Sequence, residues 1–238
     1  MHKTEIFASV AARVKARGGK EHPFDQLDPR RTALVVIDMQ NYFVHPDSPA
    51  GVAAAIEITP QINHLADELR RRGGVVAWVR TSTRDTLEKW SVYNDDLMTP
   101  DRRDRRCAAM DEDGDGFRFW EANDIKPSDL LVTKKRFSAF IQGSSDIDSR
   151  LRQRGIDSLL VAGTVTGVCC ESSARDAMML NYKVVMASDA LASHTDQEHN
   201  AALSGFYATF GDVQTVDQCI ASLDRGLAVE PNTTRAAR

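Results

Sequence analysis

The sequence predicts an α/β domain built on a mostly parallel, six-stranded sheet. Short, almost continuous β-branched and aliphatic runs alternate with longer stretches of helical period, the pattern of parallel strands joined by crossover helices. The runs are apolar at odd and even positions alike, which suits strands covered on both faces. Size agrees with one such domain, because 238 residues with 42% hydrophobic content bury a sizeable core without disulfides or metal.

Taken in order, Met1 to Lys20 is basic with scattered apolar positions, and residues 1–29 read as an arm or surface helix ahead of a domain over residues 30–226. Strands are expected at Ala33–Ile37, Val75–Val79, Leu130–Thr133, Leu159–Ala162 and Val184–Ala187, with a weaker one at Val213–Val216. Between the first two, Thr59-Pro60 reads as an N-cap followed by proline at the first helical position; Ile62, Leu65, Ala66 and Leu69 then recur at helical spacing before Gly73-Gly74. A second helix is expected over Ser145–Arg154, with Ser145 and Asp148 as an approximate capping box and Gly155 as its stop. A third begins beside Cys169, and a fourth at Thr195 with Glu198 three residues on. The stretch Thr81–Asp129 is long, charged and poor in strand signals, yet it holds Trp90, Tyr93, Phe117, Phe119 and Trp120; an insertion with that many aromatics predicts an ordered wall over a site. Residues 227–238 read as a loose tail.

Composition removes several function classes. A net charge of −4 leaves no basic footprint for nucleic acid or an anionic membrane, and small-molecule partners fit better. No apolar run approaches the roughly 20 residues that span a bilayer. The cysteines Cys107, Cys169, Cys170 and Cys219 form neither a secreted disulfide framework nor a C-x-x-C pair, which points to a reducing, cytoplasmic setting.

Chemistry is concentrated at three predicted strand ends. Gly163-Thr-Val-Thr-Gly-Val-Cys169-Cys-Glu-Ser-Ser-Ala-Arg-Asp176 follows a strand and enters a helix. A cysteine there sits against free backbone N–H groups and the positive end of a helix dipole, which favour a thiolate and a developing oxyanion. Asp38 ends the first strand, at the sheet edge where open α/β folds bind ligands, and Lys134 closes the third. Singly, each has an ordinary structural explanation: a packed thiol, a capping carboxylate, a solvated lysine. Together, a thiol, a carboxylate and an ammonium at one sheet edge are a complete set of parts for nucleophilic acyl chemistry.

These segments resemble the isochorismatase-like cysteine hydrolase superfamily over roughly Arg30 to Leu223. The matching motifs are Asp38-Met-Gln40, then Lys134-Lys-Arg-Phe-Ser138-Ala-Phe140, then Gly163 with Thr166, Cys169, Ser173, Arg175 and Asp176. The resemblance implies a three-layer αβα, Rossmann-like fold. Through the family spacing it selects Lys134 over Lys135 and Cys169 over Cys170, leaving Cys170 to pack. It implies a triad of Cys169, Asp38 and Lys134, a cis peptide at Thr164-Val165, and an oxyanion hole formed by the backbone N–H groups of Val165 and Cys169. It also implies a homodimer or homotetramer, with the N-terminal arm as part of the interface.

Nicotinamidases in this superfamily add an Asp/His metal cluster, and no Asp-x-His with a following His occurs here, so no metal or other cofactor is expected. Isochorismatases proper carry glycine where Cys169 stands. What remains resembles N-carbamoylsarcosine amidase, ureidoacrylate amidohydrolase and the biuret and triuret hydrolases, which act on small amide or carbamoyl substrates. The alternatives are a hydrolase of a larger amide or lactam and an idle member acting as a binding or assembly protein. Asn41, Phe43, Trp90, Ser138 and Phe140 are the candidate substrate contacts, each with core packing as its competing explanation.

Three features read as false leads. Asp111-Glu-Asp113-Gly-Asp115-Gly116 imitates the start of a calcium loop but has Ala122 where the bidentate glutamate belongs. Arg102-Arg-Asp-Arg-Arg106 could grip phosphates, though the interspersed acids favour a solvated loop. His199 shares a helical face with Leu203, Phe206 and Phe210 and reads as a satisfied core histidine.

Overall fold

A computed structural model describes residues 1–228. Six strands, β1 (Thr32–Ile37), β2 (Val75–Thr81), β3 (Leu130–Lys134), β4 (Ser158–Thr164), β5 (Lys183–Ala192) and β6 (Asp212–Gln214), form one sheet in the order β3-β2-β1-β4-β5-β6. Every pairing is parallel. Alternating side chains of β1 supply both layers of core. Ala33, Val35 and Ile37 join one cluster with residues of α5 (Ile147–Arg152), α6 (Glu171–Met179) and α7 (Asp196–Thr209), whereas Leu34 and Val36 join another with α3 (Ala53–Arg71) and α8 (Val216–Leu227). This is why the strand sequences lack polar alternation. The result is a three-layer αβα sandwich whose topological switch lies between β1 and β4.

The elements depart from the sequence expectation in identifiable places. The crossover helix α3 starts at Ala53 instead of after Thr59; Pro60 lies inside it, and Thr59 Oγ1 donates to the Ala55 carbonyl (3.0 Å) as an interior residue does. The helix after Ser145 has Asp146 as its N-cap and no capping box, and the last strand stops at Gln214, so that Val216 opens α8. The α7 start is as read, with Thr195 accepting from the Glu198 N–H (3.1 Å). The arm folds back on its own chain: α1 (Ala8–Gly18) buries Val10 and Val14 in the core cluster that contains Leu203 and Phe206 of α7. Residues 229–238, most of the expected tail, lie outside the described residues. Among the described residues no helix is long and apolar enough to cross a membrane.

Gly163 shows how tightly the switch point is built. Its φ is +111°, and a Cβ there would stand 2.1 Å from the Ile37 carbonyl oxygen on the neighbouring strand. Gly163→Ala is therefore expected to cost at least about 3 kcal/mol, through both backbone strain and a clash with immovable main chain, and a denaturant melt reads this directly.

Candidate active site

Asp38 and Lys134 meet where β1, β2 and β3 end, and Cys169 follows the end of β4. Asp38 follows β1 with φ +55°, a left-handed conformation that costs a non-glycine residue about 1 to 2 kcal/mol. Its N–H donates to the Val79 carbonyl (2.8 Å), which fixes this turn against β2. Lys134 is the last residue of β3 and lies in register with Thr81 of β2. Its Nζ stands 2.8 Å from Asp38 Oδ2, with both side chains fully buried. Lys134 Nζ also donates to Thr81 Oγ1 (2.6 Å) and to the Arg136 carbonyl (3.1 Å), while Thr81 Oγ1 donates to Asp38 Oδ1 (2.9 Å).

Thr81 is thus a bridging residue that sequence reasoning missed. A threonine at a strand end carries no signal by itself; only the order β3-β2-β1 places it between the lysine and the carboxylate. Gln40 locks the same corner: its Nε2 donates to the carbonyls of Thr81 (3.0 Å) and Phe117 (3.1 Å), and its Oε1 accepts from the Thr81 N–H (2.7 Å). One side chain ties the end of β1 to β2 and to the insertion.

Cys169 sits in a π-helical turn, Thr166–Cys170, that leads from β4 into α6. It is 5% exposed, and its thiol lies in the field of both Asp38 and Lys134. The helix-terminus argument favoured a depressed thiol pKa, and the structure reverses this. Burial, then the neighbouring Asp38 charge, hold the Cys169 thiol far above the ordinary cysteine value, with Lys134 only partly opposing them. Burial also disfavours the Lys134 ammonium, but Asp38 and Cys169 outweigh it and raise the lysine pKa. The direction of these shifts favours the neutral thiol beside the buried Asp38–Lys134 pair.

Neighbouring groups hold the Cys169 turn. Ser173 Oγ donates to the Cys169 carbonyl (2.7 Å) and accepts from the Ala139 N–H (3.0 Å), coupling that turn to the loop after Lys134. The Thr164-Val165 peptide is cis, and the Val165 carbonyl accepts from the N–H of Val168 (3.0 Å). Cys170 is fully buried beside the Ala162 carbonyl, a packing residue.

His199 is fully buried, and its Nδ1 pairs with Thr166 Oγ1 (2.9 Å) at the start of the same turn. Burial lowers its pKa to about 4 from 6.5. Between those two values the unfolded chain binds the proton that the folded chain refuses, so this residue's contribution to stability is present above pH 6.5 and lost as pH falls toward 4. The loss amounts to roughly 3 kcal/mol once pH is below the folded value. In His199→Gln, stability measured by urea titration across that range should fall less steeply than in wild type.

The expected substrate contacts divide. Asn41 lines a cleft and donates through Nδ2 to Asp115 Oδ2 (3.1 Å). Phe43 packs edge-on against Tyr42, with ring centroids 5.0 Å apart. Trp90 stacks on Tyr93 (4.5 Å) and meets Phe137 edge-on (4.8 Å). Ser138 and Phe140 serve the structure: Ser138 Oγ accepts from the Phe140 N–H (3.1 Å) and the Ile141 N–H (3.2 Å), and Phe140 lies in the core cluster that contains Cys169. The calcium-like acidic run is explained by Arg84, whose guanidinium gathers Asp111 (2.5 Å), Asp113 (2.7 Å) and Glu112 (3.3 Å). Among the described residues no group of three or more His, Cys, Asp or Glu side chains is placed to hold a metal ion.

The isochorismatase domain model matches residues 32–218 of this chain. The ureidoacrylate amidohydrolase RutB of Rhizobium rhizogenes is 30% identical over 86% of this chain and 88% of its own. Among solved structures, a cysteine hydrolase from Pseudomonas syringae pv. phaseolicola superposes with a TM-score of 0.75 at 27% identity, over 84% of this chain and 95% of that one. The N-carbamoylsarcosine amidase of Thermoplasma acidophilum gives 0.62 at 26% identity, over 79% and 97%.

Proposed function

This chain belongs to the isochorismatase family, and from that premise we propose that it is a cysteine amidohydrolase cleaving a C–N bond of a small amide or carbamoyl (ureido) compound through a thioester on Cys169. The observation that carries this reading is the fully buried Asp38–Lys134 pair, whose charges act on one buried thiol. A neutral thiol is a poor nucleophile, and Asp38 is the base beside it. In the proposed cycle Asp38 takes the Cys169 proton as sulfur attacks the substrate carbonyl, and Lys134 holds the carboxylate in place before and after. The tetrahedral oxyanion meets the backbone N–H groups of Val165 and Cys169. Asp38 then returns the proton to the leaving nitrogen, the C–N bond breaks, and a water deprotonated by the same carboxylate hydrolyses the thioester. The amidohydrolase names of RutB and of the Thermoplasma amidase support this substrate class.

The test is ammonia release from an N-carbamoyl amino acid, ureidoacrylate, biuret, triuret and nicotinamide, with a chelator present throughout. Release from a carbamoyl compound by wild type and not by Cys169→Ala is the expected result. Chelator-sensitive release, or release by the alanine variant, would refute the mechanism.

A further inference from the structure

Helix α4 (Pro100–Met110) of the insertion faces the short helix α2 (Asn41–Val44) across a cleft of about 550 Å³. The arginine cluster that the sequence suggested as a solvated loop is in fact helical, and its last member turns inward. Arg106 is 7% exposed, lines this cleft, and makes no hydrogen bond or ion pair among the described residues; its Nη1 is a buried donor without a partner. Its one visible compensation is the Tyr93 ring, 5.0 Å from the guanidinium carbon. A buried, permanently charged guanidinium left unpaired is costly, and native proteins rarely retain one without a ligand or anion to satisfy it.

The surroundings match an anion. Arg102, one turn earlier, lines the same cleft and is also free of ion pairs among the described residues, whereas Arg105 is committed to Asp101 (2.5 Å). Tyr42 lies opposite: burial raises its phenol pKa, and Arg106 and Arg102 are close enough to oppose that rise. Of the acids on the rim, Asp115 is engaged by Asn41, and the Asp47 side chain is 94% exposed and points to solvent. The cleft floor is held firmly, because a Cβ on Gly116 would stand 2.6 Å from the Ala109 carbonyl, so the loop closes directly on α4.

We propose that this cleft is an oxyanion-binding site in which Arg106, with Arg102 and the Tyr42 hydroxyl, grips a small carboxylate or phosphate group. The group could belong to the substrate of the reaction proposed above or to a separate small anion. Asn41, three residues beyond Asp38, lines the cleft, and Tyr93 under Arg106 packs on Phe137 (5.0 Å) of the loop after Lys134, so occupancy here is positioned to be felt at the thiol.

The test begins with binding, which requires no turnover and therefore stands or falls separately from the amidohydrolase reading. Calorimetric titration of the full chain with inorganic phosphate and with N-carbamoylglycine should show saturable binding, weakened about tenfold or more in Arg106→Gln. Arg102→Gln, on the exposed side of the cleft, is the second variant should Arg106→Gln fail to fold, and it should weaken binding in the same sense. If N-carbamoylglycine binds, its neutral amide does not, and phosphate competes with it, the anion is the substrate's own carboxylate. If phosphate binds through the arginines without displacing the carbamoyl compound, the site serves a separate anion. Wild-type binding no stronger than that of folded Arg106→Gln or Arg102→Gln, for both probes, would overturn the proposal.

Discussion

Cys169→Ser is expected to fold normally and to lose turnover by about a thousandfold or more. The exchange is nearly isosteric at a fully packed position, so circular dichroism and the thermal midpoint should move little. Chemically it replaces a thiol with a hydroxyl of much higher pKa, at a site where burial and the Asp38 charge already work against ionisation. A carboxylate base that copes with the thiol has too little driving force for the hydroxyl. Cys170 offers no rescue, because its side chain is sealed against the Ala162 carbonyl with its own thiol pKa pushed well above the ordinary value by burial. Rate measurement on the best compound of the panel decides the matter, and substantial serine activity would remove cysteine from the mechanism.

Asp38→Asn should fail in two ways at once. It removes the proposed base, which should abolish turnover, and it leaves Lys134 as a fully buried ammonium whose remaining partners, Thr81 Oγ1 and the Arg136 carbonyl, are neutral. Breaking one side of a buried ion pair typically costs about 3 to 5 kcal/mol, and replacing both sides costs far less. The double variant Asp38→Asn/Lys134→Met should accordingly be more stable than Asp38→Asn alone while remaining inactive. Urea melts of the two single variants and the double variant measure the coupling. Additive destabilisation would mean that the two charges do not support each other in the fold.

The sheet was legible because its strands are buried on both faces, as β1 shows with Ala33, Val35 and Ile37 on one side and Leu34 and Val36 on the other. The grouping of Cys169, Asp38 and Lys134 was legible because strand ends are where a parallel sheet presents its chemistry. Pro60 misled because proline normally starts a helix, yet α3 carries it inside, beyond a first turn that includes the exposed Ile56. Arg106 misled because charge in a run usually means solvent; its four-residue spacing to the buried Met110 was the available sign that it lies on the inner face. Thr81 left no local sign, since its role comes from its place between two other strands. The thiol's elevated pKa was hidden for a similar reason: a helix terminus can be read from sequence, whereas complete burial beside a carboxylate is a property of the folded site.

The most direct test follows alkylation by iodoacetamide peptide by peptide against residual ammonia release. Cys107 is the most accessible of the four thiols and should be modified first without effect, because Cys169, Cys170 and Cys219 are buried. Activity should then fall in proportion to modification of Cys169 alone. Ammonia release that persists after Cys169 is fully alkylated would contradict the account.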